Sequence, residues 1–250
     1  MKLLFRKAHS YLYIASALIF YLLLWPFNYY FFNKPNGARA MNKLRRVWAF
    51  AGSAFVGIFY RFTFEEPIDW SKTYIICANH TSNLDVSAFS LLVKGDYCFI
   101  GKEELKEGIV TGLYMKKVDI AVKRDNLVSA LKAMKQSAKK LQSGINVVIF
   151  PEGKIGEEYP PILHEFKNGP FNIAIDLKIP IIPVSTSNTW KILWDDGLKY
   201  GSRPGICDFY VHKPIDTSHL TEYDANDLRD EIYRIINQKI YGETIAEEIV

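Results

Sequence analysis

The chain has 250 residues, 49% of them apolar and 14% aromatic, enough for one sizeable α/β domain and a short accessory segment. Its net charge of +4 conceals an asymmetry: residues 1–64 hold nine Lys or Arg and no acid, which leaves 22 of the 31 bases against all 27 acids from Glu65 onward. The N-terminal bases flank long apolar runs rather than interleaving with polar residues, which argues against nucleic acid as the partner and for anionic lipid.

From Ala8 to Asn33 no charged residue occurs, and a run of 26 is long enough to cross a hydrocarbon core of ~30 Å as a helix. It is too long for a signal peptide, and no small-residue cleavage site follows it. Pro26 and Asn28 are expected to interrupt that helix near its end, and Tyr29–Phe32 to form an interfacial aromatic belt. A second charge-free run, Val47–Tyr60, is short for a span. Basic residues lie on both sides of the first run, with Lys34, Arg39, Lys43, Arg45 and Arg46 between the two, so charge selects no orientation. The favoured expectation is two helices that dip into one leaflet and return, with a single span as the alternative. Residues 1–62 are assigned to this anchor and 63–250 to the catalytic domain.

In the second part, apolar runs at 73–78, 96–100, 145–150, 179–184 and 207–211 predict strands. The two prolines of the fourth push it toward a sheet edge or a strand end. Helices are predicted from about Asp85 to Val93 and over 126–143, the latter with Leu127, Leu131, Met134, Ala138 and Leu141 on one face. Two more follow, at 171–177 behind Gly169-Pro170 and at about 225–241. Strands alternating with helices predict a single layered α/β domain with a mostly parallel central sheet flanked by helices, preceded by the two-helix membrane segment. Cys77, Cys98 and Cys207 form no Cys-x-x-Cys pair and read as buried reduced thiols, which places the catalytic domain on the cytoplasmic side. His9, His212 and His219 share no ligand spacing, so no metal is expected, and His164 falls in a loop.

Asn79-His80-Thr81-Ser82-Asn83-Leu84-Asp85 leaves the first of these strands and enters a helix, the junction at which α/β sheets place ligands. The reversal lets Asp85 reach one ring nitrogen of His80 while the other faces substrate, the base-and-orienter half of a triad. Ser82-x-x-Asp85 has equally the form of a helix capping box. With no Gly-x-Ser-x-Gly elbow in the chain, a substrate hydroxyl is the expected nucleophile, and a thioester the natural acyl donor because a thiolate leaves readily.

These seven residues resemble the Asn-His-x-Ser-x-x-Asp block of the glycerolipid acyltransferases. Further blocks agree in order: Lys102-Glu103-Glu104-Leu105, Gly112 followed by Arg124, Phe150-Pro151-Glu152-Gly153 with Phe166-Lys167-Asn168-Gly169, and Ile179–Val184. The resemblance implies His80 as general base oriented by Asp85, with Lys102, Arg124 and Lys167 toward an acceptor phosphate and Lys154 or Lys167 standing in for the arginine expected at 155. It also implies Glu152 on the glycerol hydroxyl and the Gly153 region donating backbone N–H groups to the oxyanion. The implied reaction carries an acyl chain from acyl-CoA or acyl-carrier protein, as co-substrate and with no cofactor, to the sn-2 hydroxyl of lysophosphatidic acid. Ile155 stands where the family usually has an arginine, which leaves another lysophospholipid or glycerol 3-phosphate open as acceptor. A transacylase, a lipid hydrolase and a non-catalytic lipid-binding protein are the rival readings.

Overall fold

The computed structural model describes residues 2–123, 126–194 and 197–247. Two helices open the chain, α1 (Lys2–Phe32) and α2 (Ala38–Ala54), followed by β1 (Ile58–Phe64). The central run is β2 (Ile75–Ala78), α3 (Leu84–Leu92), β3 (Tyr97–Lys102), a 3₁₀ turn (Glu103–Glu107), α4 (Gly112–Lys117), β4 (Ile120–Val122), α5 (Leu127–Gln142) and β5 (Asn146–Ile149). After it come α6 (Gly169–Leu177), β6 (Ile181–Thr186), the short α7 (Thr189–Ile192) and α8 (Gly197–Tyr200), β7 (Gly205–Val211) and α9 (Ala225–Glu247).

The strands form one seven-stranded sheet in the order β1-β7-β6-β2-β5-β3-β4, parallel throughout except where β6 meets β7. Strands β2, β5 and β6 are apolar and buried on both faces, as parallel strands under two helical layers require. Ile76, Ala78, Val148, Ile182 and Val184 face a core completed by Leu84, Phe89 and Leu92 of α3. Ile75, Cys77, Val147, Ile149 and Ile181 face the opposite core, under α5, α6 and α9. All three cysteines are reduced and buried in these cores, and burial pushes their thiols up, Cys98 to about 12, so none is a ready nucleophile.

Four sequence expectations change. The run Val47–Tyr60 is not one helix: Gly57 takes φ +74°, its position lies against Pro204, and the chain leaves α2 to become β1. The boundary drawn between residues 62 and 63 therefore falls inside β1, all seven residues of which pair with β7. The proline-bearing strand β6 is internal, between β7 and β2. Pro183 is tolerated because β7 pairs with β6 only over Val184–Thr186, so the missing N–H falls just outside that ladder. Finally, α1 runs through Pro26. Asn28 is buried there, its amide donating to Leu24 O and its Oδ1 accepting from Tyr114 Oη at 2.9 Å, and this docking offsets the proline's cost of ~3 kcal/mol.

The N-terminal bases also have protein partners. Arg45 forms a buried ion pair with Asp119 at 2.9 Å, beneath the rings of Tyr97, Phe99 and Tyr114. Arg46 donates to the carbonyls of Ser90, Val93 and Gly95 at the end of α3, where a cation complements the helix dipole. Arg39 pairs with Asp96 and Arg61 with Asp208. Part of the charge asymmetry thus reflects one end of the chain docking on the other.

Candidate active site

In the sheet, β2 and β5 are neighbours whose outgoing helices leave on opposite faces, α3 on one and α6 on the other. The carboxyl ends of such a pair open a crevice that neither connection covers. His80 follows β2 and Glu152 follows β5, so the topology alone brings together residues 72 positions apart.

Three side chains fix the turn at His80. The Asn79 amide donates to Thr186 O and accepts from Thr186 N–H, both at 2.9 Å, and so extends the β2–β6 ladder like a peptide unit. Asp85, in the first turn of α3, is fully buried, and its Oδ2 accepts from His80 Nδ1 at 2.8 Å, from Thr81 N–H at 2.9 Å and from Ser82 N–H at 3.0 Å. Of the capping box only the Asp85 half forms: its Oδ2 accepts from Ser82 N–H, while Ser82 Oγ accepts from Leu84 N–H and donates to Leu193 O, and α3 starts behind Asn83. Phe150 stacks on the His80 ring with centroids 3.8 Å apart and planes 11° apart. With Nδ1–H donated to the carboxylate, Nε2 carries the lone pair, and the side chain retains 13% exposure.

Glu152 has a different immediate task from the one expected. Its Oε1 accepts from His80 N–H at 2.8 Å and its Oε2 from His164 N–H at 2.9 Å, with only 6% of the residue exposed. Burial pushes its pKa up to about 7 against the lowering effect of those two bonds, and the charges of Asp85 and Glu158 add to the rise. The carboxylate is a clasp between the His80 turn and the 154–166 loop. The Gly153 N–H closes a turn on Phe150 O at 3.0 Å, so it does not point to an oxyanion. Gly153 matters for its φ of +75° and its missing Cβ, which would lie 2.9 Å from Lys167 Nζ.

Lys102 ends β3 at the same carboxyl edge and sits 3.6 Å from Glu104. Lys154 is exposed on the loop after Gly153, and Lys167, whose N–H donates to Pro151 O, borders the glycine. Arg124 lies outside the described residues. Three parts of the site carried no assignment from sequence. Phe150 was visible as an aromatic at a strand end but had no stated role. His164, expected only as a loop residue, gives its backbone N–H to Glu152 and sets its Nε2 3.1 Å from Glu158 Oε2. Tyr159 stacks on Tyr200 at 3.8 Å and meets Trp190 and Trp194 edge-on, pinning the 154–166 loop to the segment after β6. No sequence signal foretold contacts over such separations.

A mostly parallel α/β sheet thus carries at its switch point an imidazole oriented by a carboxylate, an arrangement able to accept and return a proton. Comparison with known proteins narrows the class. The family model described as Acyltransferase matches residues 60–187, and the chain belongs to that family. It is 30% identical over 172 residues to the 1-acyl-sn-glycerol-3-phosphate acyltransferase of Haemophilus influenzae, covering 66% of this chain and 68% of that one. It is 26% identical over 208 residues to an uncharacterised acyltransferase of Schizosaccharomyces pombe, covering 82% and 74%. The crystal structure of the 1-acyl-sn-glycerophosphate acyltransferase PlsC from Thermotoga maritima shares the fold, with a TM-score of 0.78 at 19% identity over 98% of both chains.

Proposed function

We propose that the protein is an O-acyltransferase that moves an acyl chain from acyl-CoA or acyl-carrier protein to the sn-2 hydroxyl of lysophosphatidic acid, giving phosphatidic acid at a membrane surface. The observation that carries this reading is the 2.8 Å bond from His80 Nδ1 to the buried Asp85, which leaves Nε2 as the base. Nε2 takes the hydroxyl proton as the oxygen attacks the thioester carbonyl. The C–S bond then breaks, and the thiolate leaves and takes the proton from the imidazolium, so the products are the ester and a free thiol. Lys102, Lys154, Lys167 and Arg124 supply positive charge for the acceptor phosphate.

The membrane part of the reading rests on α1, a 31-residue helix long and apolar enough to cross a bilayer. Its polar residues Ser10, Ser16 and Asn28 are buried inward, while Leu4, Phe5, Leu18, Leu22, Leu23 and Trp25 face outward. This inversion suits a helix whose outer solvent is lipid. Arg6 O accepts from Ser202 N–H at one end and Asn28 holds Tyr114 at the other, 22 residues or about 33 Å apart at ~1.5 Å per residue. A helix held to the domain over that length lies along one leaflet rather than across both.

Purified protein given labelled acyl-CoA and a panel of lysophosphatidic acid, lysophosphatidylcholine and glycerol 3-phosphate tests the assignment. Labelled phosphatidic acid with one thiol released per ester is expected. Release of free fatty acid without an acceptor, or no transfer to any acceptor, would overturn it.

A further inference from the structure

Helix α5 carries Lys132, Lys135, Lys139 and Lys140 and no acid. Of the predicted face Leu141 is buried and Met134 and Ala138 are half-buried, with Ala133 and Ser137, not predicted, completing the buried side. The first turns are not buried. Leu127 is 76% exposed, Val128 76% and Leu131 62%, although two of these were expected on the buried face. The reason is position: four residues separate the end of β4 at Val122 from the start of α5 at Leu127, so its first turns overhang the carboxyl edge of the sheet. Asn126 caps the overhang by accepting from Ser129 N–H, and Ser129 Oγ accepts from Lys123 N–H, both at 2.8 Å, so it is built and not frayed. The adjacent strand β3 leaves the same edge into the turn and loop that expose Leu105 and, at 81%, Ile109.

A tip of large apolar side chains in water is unfavourable unless something covers it. Two observations identify the cover. Tyr21 of α1 donates its Oη–H to Ile109 O at 2.9 Å, which joins the tip to the helix whose Leu18, Leu22 and Trp25 face outward on either side of Tyr21. Lys123, Lys132 and Lys135 are exposed in the chain on either side of Leu127, Val128 and Leu131, and α5 carries no acid, whereas Lys106 is paired with Glu103; basic residues flanking an apolar turn complement an anionic lipid surface.

We infer that Ile109, Leu127, Val128 and Leu131 form a second lipid-contacting surface that enters the interface of an anionic bilayer alongside α1. With both surfaces engaged, the carboxyl edge of the sheet faces the lipid, and the acceptor reaches His80 without leaving the membrane. This rests on the membrane reading of α1 given above, and the test separates the two. Because the native cysteines are buried, a cysteine placed on the surface can be labelled alone. An environment-sensitive fluorophore is attached to Val128→Cys, to Leu22→Cys as the α1 reporter, and to Tyr223→Cys in the exposed turn before α9 as a control. Vesicles of phosphatidylglycerol and phosphatidylcholine with brominated acyl chains are then added. Blue shift and quenching at both 128 and 22, with none at 223, is the expected result. Response at 22 with 128 remaining in water overturns the second surface and leaves the α1 anchor standing, whereas silence at both overturns both. A response at 128 to protein concentration or to acyl-carrier protein without vesicles assigns the tip to a protein partner and likewise overturns the inference. As a second measurement, L127S/V128S/L131S should lower vesicle partitioning about tenfold or more with an unchanged unfolding temperature, since the three side chains touch no core. Unchanged partitioning would count against the surface.

Discussion

At the residue scale, the carboxylate of Glu152 ties the backbone of His80 to a loop that leads to the aromatic cluster around Tyr159. In Glu152→Gln the amide NH₂ must face one of two backbone N–H donors, leaving a buried donor unsatisfied at ~1–3 kcal/mol. We expect kcat to fall about tenfold to a hundredfold by the same measure with the acceptor KM nearly unchanged. A raised KM with kcat preserved would instead place Glu152 on the substrate. The pKa of about 7 adds a pH signature. As pH falls through 7 the carboxyl takes up a proton, one oxygen turns from acceptor to donor, and the clasp loosens, so activity should decline on the acid side with a limb that Glu152→Gln lacks. For stability the sign is opposite. The folded carboxyl binds its proton more tightly than the unfolded one, so this group's contribution weakens as pH rises from the ordinary carboxylate range to about 7. His80 and Asp85 were legible because six residues of sequence contain the whole pair. The two backbone bonds of Glu152 were not legible, because one partner follows β2 and the other lies twelve residues downstream in its own loop, which no side-chain pattern announces.

At the element scale, α2 is locked to the catalytic domain by the Arg45–Asp119 pair, whose side chains are 4% and 5% exposed, and Asp119 also accepts from Phe99 N–H at 3.0 Å. Arg45→Met should cost ~3–5 kcal/mol in denaturant unfolding, because it leaves Asp119 buried without its counter-ion. Adding Asp119→Asn should recover part of that loss, and a simple sum of the two single effects would show that the pair is not coupled. A second seam joins β1, β6 and β7, where His212 Nε2 meets Ser185 Oγ at 2.8 Å and Nδ1 faces Glu65 at 3.5 Å. Burial lowers the His212 pKa to about 4 despite Glu65, with Lys239 pushing the same way. The unfolded imidazole takes its proton first, so this seam's stability is complete above pH 6.5 and is lost as pH falls toward 4. His212→Gln should flatten the unfolding temperature across that window, and an unaltered slope would exclude His212 as its source. The strands β2, β3, β5, β6 and β7 and the helices α3, α5, α6 and α9 were legible as apolar runs and periodic faces. Strand β4 was missed because it has three residues, and β1 because its apolar residues continue those of α2 without a polar break.

At the scale of the whole molecule, the membrane proposal joins the outward apolar face of α1, the exposed apolar tip of α5 and the crevice between β2 and β5. Apolar composition revealed the long N-terminal helix in sequence. Its attitude was not legible, because that depends on Arg6, Asn28 and Tyr21 docking on residues 86 to 196 positions away. Replacing Leu18 and Leu22 together by Ser should reduce vesicle partitioning about tenfold or more, since their side chains face outward and touch no core; sedimentation with vesicles checks this, and full retention would contradict the anchor. The central claim is that the lipid hydroxyl attacks while His80 Nε2 holds its proton. It is tested most directly by the transfer rate of purified, folded His80→Ala on labelled acyl-CoA and lysophosphatidic acid. A rate lower by ~10²–10⁴ is the expected result, and near-normal turnover would contradict it.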